Sequence, residues 1–184
     1  MVSFTANAGN YKTFPKVVNH SRKHGAFKIW TDRYLPQSDD DDLTLSKEQA
    51  REYFNIILKE QRKSKLHIRN KIDIASQRAL QFLVSGGPPY KCSAGTTLLT
   101  IMPTGDILPC RRLPITLGNL LKNDLLEIYR NHETVKQLRN SVPPDIDCRN
   151  CFYVNTCNGG LKCLSYCAYG DFTRKDPHCW VKNN

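Results

Sequence analysis

Six of the chain's eight cysteines lie between Cys148 and Cys179, in the stretch CRNCFYVNTCNGGLKCLSYCAYGDFTRKDPHC. The other two, Cys92 and Cys110, flank a hairpin-like segment upstream, and no cysteine precedes Cys92. Thiols so spaced have three chemistries. A disulfide framework suits small secreted chains. Here 184 residues, a cysteine-free first half and no charged-then-apolar leader all argue against it. Zinc is the second: eight thiolates make two four-cysteine sites. Iron–sulfur is the third, with four thiolates to each cubane cluster. Cys148-x2-Cys151-x5-Cys157 alone fits zinc as well as iron.

The elements that must position these thiols follow from local pattern. Thr97 to Ile101 and Ile107-Leu108 flank Pro103-Thr104-Gly105-Asp106, a hairpin with turn residues in place. It is expected to bring Cys92 and Cys110 to adjacent strands. Gly118-Asn119 leads into one helix from Leu120 to Arg139, with Leu121, Leu125, Ile128 and Tyr129 on its apolar face. Val142-Pro143-Pro144 stops it. Gly159-Gly160 lets the backbone pass close to a metal group without a Cβ in the way. Asp176-Pro177 sets a turn before Cys179, and His178 reads as a supporting or exposed group rather than a ligand.

The cysteine-free first half has a different texture. Val2 to Ala6 alternates like a strand, Asn10 to His24 has helical spacing ended by Gly25, and Ala26 to Thr31 is a second strand. That order is a βαβ unit with parallel strands. Asp39-Asp40-Asp41-Asp42 reads as a solvated, self-repelling loop rather than a cation site. Ser46 to Arg62 is the clearest helix, with Ser46 and Gln49 as a capping box and Ala50, Tyr53, Phe54, Ile57 and Leu58 on one face. Leu66 to Val84 fits strand or helix. Ser85-Gly86-Gly87-Pro88-Pro89 is the sharpest boundary.

The cysteine pattern resembles the SPASM domain, the auxiliary-cluster domain of radical S-adenosylmethionine (SAM) enzymes. The family runs C-x9-15-G-x4-C, a gap, C-x2-C-x5-C-x3-C, a gap, and a last C. Here Cys92-x12-Gly105-x4-Cys110, then CRNCFYVNTCNGG, then DPHC keep that order. One departure is x5, not x3, from Cys157 to Cys163, with Cys167 following. The phrase KIWTDRYLP, a loop and LTLSKEQAREYF resemble the last βα units of the family's partial barrel. The resemblance implies an α/β chain: remnant βα units of a TIM-like barrel over 1–87, then a small α+β SPASM domain over 88–184. It implies two 4Fe-4S clusters. Cys148, Cys151, Cys157 and Cys179 would hold one. Cys92, Cys110 and Cys163 would hold the other, with Cys167 as its candidate fourth ligand. Arg33 and Asn10, placed where strand-end residues fall, would face SAM or substrate in a complete enzyme; a surface arginine and a helix-capping asparagine are the plainer readings.

The family's C-x3-C-x2-C motif, which holds the SAM-cleaving cluster, does not occur in this sequence. The chain is therefore expected to be inactive alone. The resemblance implies a peptide or protein substrate, and as partners the missing radical SAM half or an electron donor. A structural zinc protein on nucleic acid is the alternative. The formal charge of +10 invites it, but eight thiolates around two cores of about +2 each would lower that sum by roughly four. The basic residues are also scattered rather than banked. No run of eighteen apolar residues occurs, so no membrane span is expected, and the cytoplasm is the expected compartment.

Overall fold

The computed structural model describes residues 1–38, 41–67, 70–75, 79–87, 91–139 and 146–181. The chain divides into two compact units, Met1–Tyr90 with Pro177–Lys182, and Lys91–Asp176 with Asn183–Asn184. The last stretch, which includes Cys179, thus groups with the first unit.

The first unit is a parallel three-stranded sheet with helical crossovers. Strand β1 (Val2–Ala6) leads through a 3₁₀ turn at Tyr11–Thr13 into helix α1 (Phe14–Lys23), then β2 (Lys28–Arg33). Pairing is parallel, from Val2 opposite Ile29 to Ala6 opposite Arg33. This register carries β2 through Arg33, two residues past the expected end, because β1 supplies a partner that far. Phe27, expected in the strand, is 69% exposed and precedes it. Gly25 ends α1 at φ +70, a left-handed conformation that costs glycine little. Helix α2 (Lys47–Leu66) begins at the expected capping box. Gln49 N–H donates to Ser46 Oγ at 3.1 Å, and Ser46 N–H to Gln49 Oε1 at 2.8 Å.

Ala50, Tyr53, Phe54 and Ile57 of α2 are buried, as are Phe14 and Val18 of α1. Phe14 meets Tyr53 edge-on with ring centroids 5.6 Å apart. The ambiguous stretch after α2 holds a two-residue strand β3 (Asp73–Ile74), parallel to β2, then a 3₁₀ turn and the short helix α3 (Phe82–Ser85). Asp39 and Asp40 lie outside the described residues. Asp41 accepts from Tyr34 Oη, Gln37 N–H and Leu43 N–H, so it organises its loop as well as facing solvent.

The second unit starts with a small antiparallel sheet. Strands β4 (Thr100–Ile101) and β5 (Asp106–Leu108) form the expected hairpin, with Gly105 at φ +87 in its turn. A third strand, β6 (Gly118–Asn119), pairs with β5. Two short helices replace the single one expected: α4 (Leu125–Asn131) and α5 (Glu133–Arg139). His132 separates them in an extended conformation, and its Nδ1 accepts the N–H of Thr134. A side chain that bonds nearby backbone competes with helix continuation. Leu121, expected on the apolar face, is 84% exposed, since Asn119 draws residues 121 to 123 into a turn and Asp124 caps α4. Ile107, Leu117, Ile128 and Val135 form this unit's core. Three helical pieces follow: α6 (Ile146–Arg149), α7 (Val154–Cys157) and α8 (Lys162–Tyr169). The expected stop at Val142-Pro143-Pro144 and the Pro88-Pro89 part of the boundary lie outside the described residues.

Both tryptophans, Trp30 and Trp180, fall in the first unit, so their fluorescence reports its unfolding. Ser46→Ala, which removes half of the capping box, should lower that unit's stability by about 1 kcal/mol in urea titration. Phe54→Ala, which empties a fully buried ring site, should lower it by about 3–5 kcal/mol. Equal losses would contradict this account of the core.

Candidate metal centre

None of the eight cysteines is in a disulfide. Seven stand in the second unit, carried by three kinds of local structure. Cys92 and Cys110 are half-buried and lie outside the hairpin's paired residues, not on adjacent strands as expected. Turns draw their segments together instead. Gly95 N–H reaches the carbonyls of Leu98 and Pro109, at 3.0 and 3.2 Å. Arg139 Nε–H donates to the Gly95 carbonyl at 3.1 Å. The hairpin is too short for its own ladder to extend to the cysteines, so backbone bonds outside the strands do the work.

Cys148 lies in α6, Cys151 just after it, and Cys157 ends α7. Cys151 N–H donates to the Cys148 carbonyl at 3.2 Å, and Cys157 N–H to the Tyr153 carbonyl at 2.8 Å. The chain then turns through three residues of positive φ: Asn158 at +50, Gly159 at +81 and Gly160 at +86. The expectation that both glycines admit a metal group is only half of the matter. At Gly160 the close neighbour is Asp176: a Cβ there would stand 2.5 Å from Asp176 Cβ and 2.7 Å from its Oδ2. At Gly159 it would stand 3.9 Å from Cys148 Sγ and 3.5 Å from Lys162 Nζ, ordinary contact distances.

Asp176 is 1% exposed. Its N–H donates to the Gly159 carbonyl at 2.9 Å and its carboxylate accepts from Leu161 N–H at 3.2 Å. That pair of bonds holds the stretch between Cys157 and Cys163 in shape. The sequence reading assigned Asp176 only a turn. Its burial is signalled by no periodicity and appears only with the fold.

Cys163 and Cys167 stand four apart on α8, hence on one face. Burial pushes the Cys167 thiol up, and the Arg112 guanidinium opposes that shift. Arg112 also donates its backbone N–H to Cys110 Sγ at 3.5 Å. Arg112 thus faces both Cys110 and Cys167. Lys162, opening α8, is 5% exposed. Burial lowers its pKa, while the charges of Cys92, Cys148, Cys157 and Asp171 pull it back up. Neither cation was singled out from the sequence.

Among the described residues, no three His, Cys, Asp or Glu side chains converge as ligands of a single metal ion. A tetrahedral zinc at about 2.3 Å from each sulfur needs thiolates about 3.8 Å apart. A cubane puts each thiolate on a different iron and takes a wider set. Thiols on loops and helix ends, with backbone N–H groups and two cations near them, are a donor set that would suit an iron–sulfur group.

In the first unit, Asn10 does not cap the following helix by its side chain. Its Oδ1 accepts from Asn7 N–H at 2.8 Å and its Nδ2 donates to the Thr5 carbonyl at 3.1 Å, tying the loop after β1. Arg33 is the last residue of β2, 2% exposed, not a surface arginine past the strand. Its Nη1 donates to His178 Nδ1 at 2.7 Å. His178 is 3% exposed, and its Nε2–H donates to the Leu45 carbonyl at 2.9 Å. With both ring nitrogens engaged, His178 is a structural anchor beside Cys179. Trp180 packs on Phe54 with ring centroids 5.8 Å apart.

Residues 92–152 match the SPASM family, described as an iron-sulfur cluster-binding domain. That match covers about a third of the chain. An AdoMet-dependent heme synthase from Methanosarcina barkeri is 31% identical over 88 residues, 48% of this chain and 25% of that protein. A PqqA peptide cyclase from Streptomyces rochei is 32% identical over 91 residues, 46% of this chain and 24% of that one. Native anSMEcpe with bound AdoMet aligns at a TM-score of 0.71 and 14% identity, covering 96% of this chain and 51% of that one. Streptococcus suis SuiB bound to its precursor peptide SuiA aligns at 0.66 and 15%, covering 97% and 44%. These structural likenesses are of fold: the chain shares the mixed α/β architecture of both. It spans about a quarter of the curated relatives' length and about half of the solved ones'. No helix among the described residues is long and apolar enough to cross a membrane.

Gly160 and Gly170 separate backbone strain from collision. Both have positive φ, but nothing lies within 4 Å of a Cβ at Gly170. Gly170→Ala should cost about 1–3 kcal/mol in the second unit's stability. Gly160→Ala should cost distinctly more, because the Asp176 bonds must break to admit the methyl. Circular-dichroism melts of the two variants under anaerobic conditions rank them, and equal midpoints would remove the role given to Asp176.

Proposed function

We propose that this chain carries a SPASM domain and holds two auxiliary 4Fe-4S clusters as part of a radical SAM enzyme that modifies a peptide or protein. The observation that carries the reading is the set of eight cysteines, none in a disulfide, four of which fall in the segment that matches the SPASM family. Cys92, Cys110, Cys163 and Cys167 hold one cluster in this reading, and Cys148, Cys151 and Cys157 hold the other, with Cys179 as its fourth ligand by resemblance. Arg112, beside Cys110 and Cys167, supports placing those two cysteines in one set. When bound, such clusters supply one-electron transfer or a substrate ligand. The chain's own residues hold and shape the site: Asp176 fixes the Cys157–Cys163 stretch, and His178 and Trp180 anchor the residues on either side of Cys179.

A peptide substrate is supported by the relative named as a peptide cyclase and by SuiB, whose structure holds its precursor peptide. SAM cleavage belongs, in this reading, to a cluster that another part of the enzyme supplies, since the sequence has no C-x3-C-x2-C motif. Asn10, in the loop after β1, and Arg33, at the C-terminal end of β2, face SAM or substrate in the complete enzyme in this reading, Arg33 oriented by its bond to His178.

Protein prepared and reconstituted without oxygen should be brown, absorb broadly near 400 nm, and contain on the order of eight irons per chain. Stoichiometric zinc without iron after the same treatment would exclude the iron–sulfur reading. Incubated with SAM and a strong reductant, the reconstituted chain alone should release no 5′-deoxyadenosine above a protein-free control. Release above that control would show that the chain carries its own SAM-cleaving centre.

A further inference from the structure

The buried cation at the opening of α8 is used by nothing described so far. Lys162 is 5% exposed, lies next to Cys163, and has its ammonium inside the second unit rather than in water. Its Nζ and the Sγ of Cys148 both come within 4 Å of one point, the position a Cβ on Gly159 would occupy. Cys92 and Cys157 are also close enough for their charges to act on it. A long, flexible lysine normally keeps its charge in water. Burying an ammonium is costly unless anions surround it. Three of the four acidic groups that act on this one are cysteines, and the fourth is Asp171. Neutral thiols would not compensate the charge; metal-bound thiolates would.

We propose that Lys162 is the internal counter-cation of the cysteine centre, a positioning residue that raises the reduction potential of the cluster bound there. The inference rests on the iron–sulfur reading above. In the redox step, a one-electron donor passes one electron to the cluster and no proton moves. Four thiolates around a core of about +2 carry a net charge of about −2, which becomes about −3 on reduction. A fixed positive charge nearby favours the more negative state, and shielding from solvent keeps that effect from being screened away. Gly159 matters here too: the position from which Nζ stands 3.5 Å and Cys148 Sγ 3.9 Å away carries no side chain, so a glycine leaves that approach open.

The test compares anaerobically reconstituted wild type with Lys162→Gln and Lys162→Arg, and with Lys122→Gln as an exposed control in the same unit. Iron content is measured first. Midpoint potentials are then read by titration with dithionite, followed by visible absorption and by electron paramagnetic resonance of the reduced state. Lys162→Gln should retain iron and shift one cluster to more negative potential by at least tenfold in its reduction equilibrium, about 59 mV for one electron. Lys162→Arg should stay near wild type, and Lys122→Gln should not shift. Should Lys162→Gln lose iron while Lys162→Arg keeps it, the charge is required even to hold the cluster, and the proposal stands. Iron retained with unchanged potentials in Lys162→Gln overturns it, as does loss of iron from both Lys162 variants, which would make the residue's shape rather than its charge decisive. Wild type that binds no iron would overturn the iron–sulfur reading itself.

Discussion

Asp176 and Gly160 meet so closely in the second unit that a side chain at position 160 would collide with the Asp176 side chain. The Asp176 carboxylate accepts from Leu161 N–H while its own N–H reaches the Gly159 carbonyl. A buried carboxylate without partners is expensive, and the Leu161 N–H helps to satisfy this one. The effect of the two bonds is to hold the left-handed run from Asn158 to Gly160. That run turns the chain out of α7 and into α8, and so decides where Cys157 stands relative to Cys163. The spacing of x5 between those cysteines is workable because this tie, rather than a regular helix, sets the geometry.

The electrostatics of the second unit follow the same logic. Thiolates gathered in a protein interior repel one another and need counter-charge. Two cations answer that need from different elements. Arg112 lies in the turn after Cys110 and acts on Cys167 from outside α8. Lys162 opens α8 itself and is buried among Cys92, Cys148 and Cys157. The chain's formal charge of +10 is therefore partly an interior property. At least one of its positive charges faces sulfur rather than solvent or a polyanionic partner.

The first unit has a different organising contact. Its parallel strands end with Arg33 under cover, and the last described residues of the chain return to this unit. His178 donates through Nε2 to the Leu45 carbonyl, which leaves Nδ1 to accept from Arg33. Arg33 also stacks over Phe54, as Arg51 does over Trp180 on the same helix. Cys179 sits between two anchored neighbours, so its position is inherited from the sheet and α2 rather than from the loop that precedes it.

Periodicity and capping chemistry were enough to read β1, α1, β2 and α2, because each is decided by contacts within a few residues: alternation, an apolar stripe, Gly25 at a helix end, Ser46 and Gln49 at a helix start. The cysteine register was legible for the same reason, since ligand spacing is a covalent property of the chain. Local pattern failed where a distant partner decided the outcome. Arg33 reads as a strand-end surface residue until His178, 145 positions away, is brought to it. The stretch from Leu120 to Arg139 reads as one helix until Asn119 and His132 take over nearby backbone groups and divide it. Asp176 reads as a turn residue and Lys162 is not singled out at all, because burial of a charge is set by what packs around it, and no window of sequence contains those neighbours. The cysteines and their spacing were determined by the sequence alone; which charges stand beside them was decided only when the chain folded, since Coulomb interactions depend on distance through space and not along the chain.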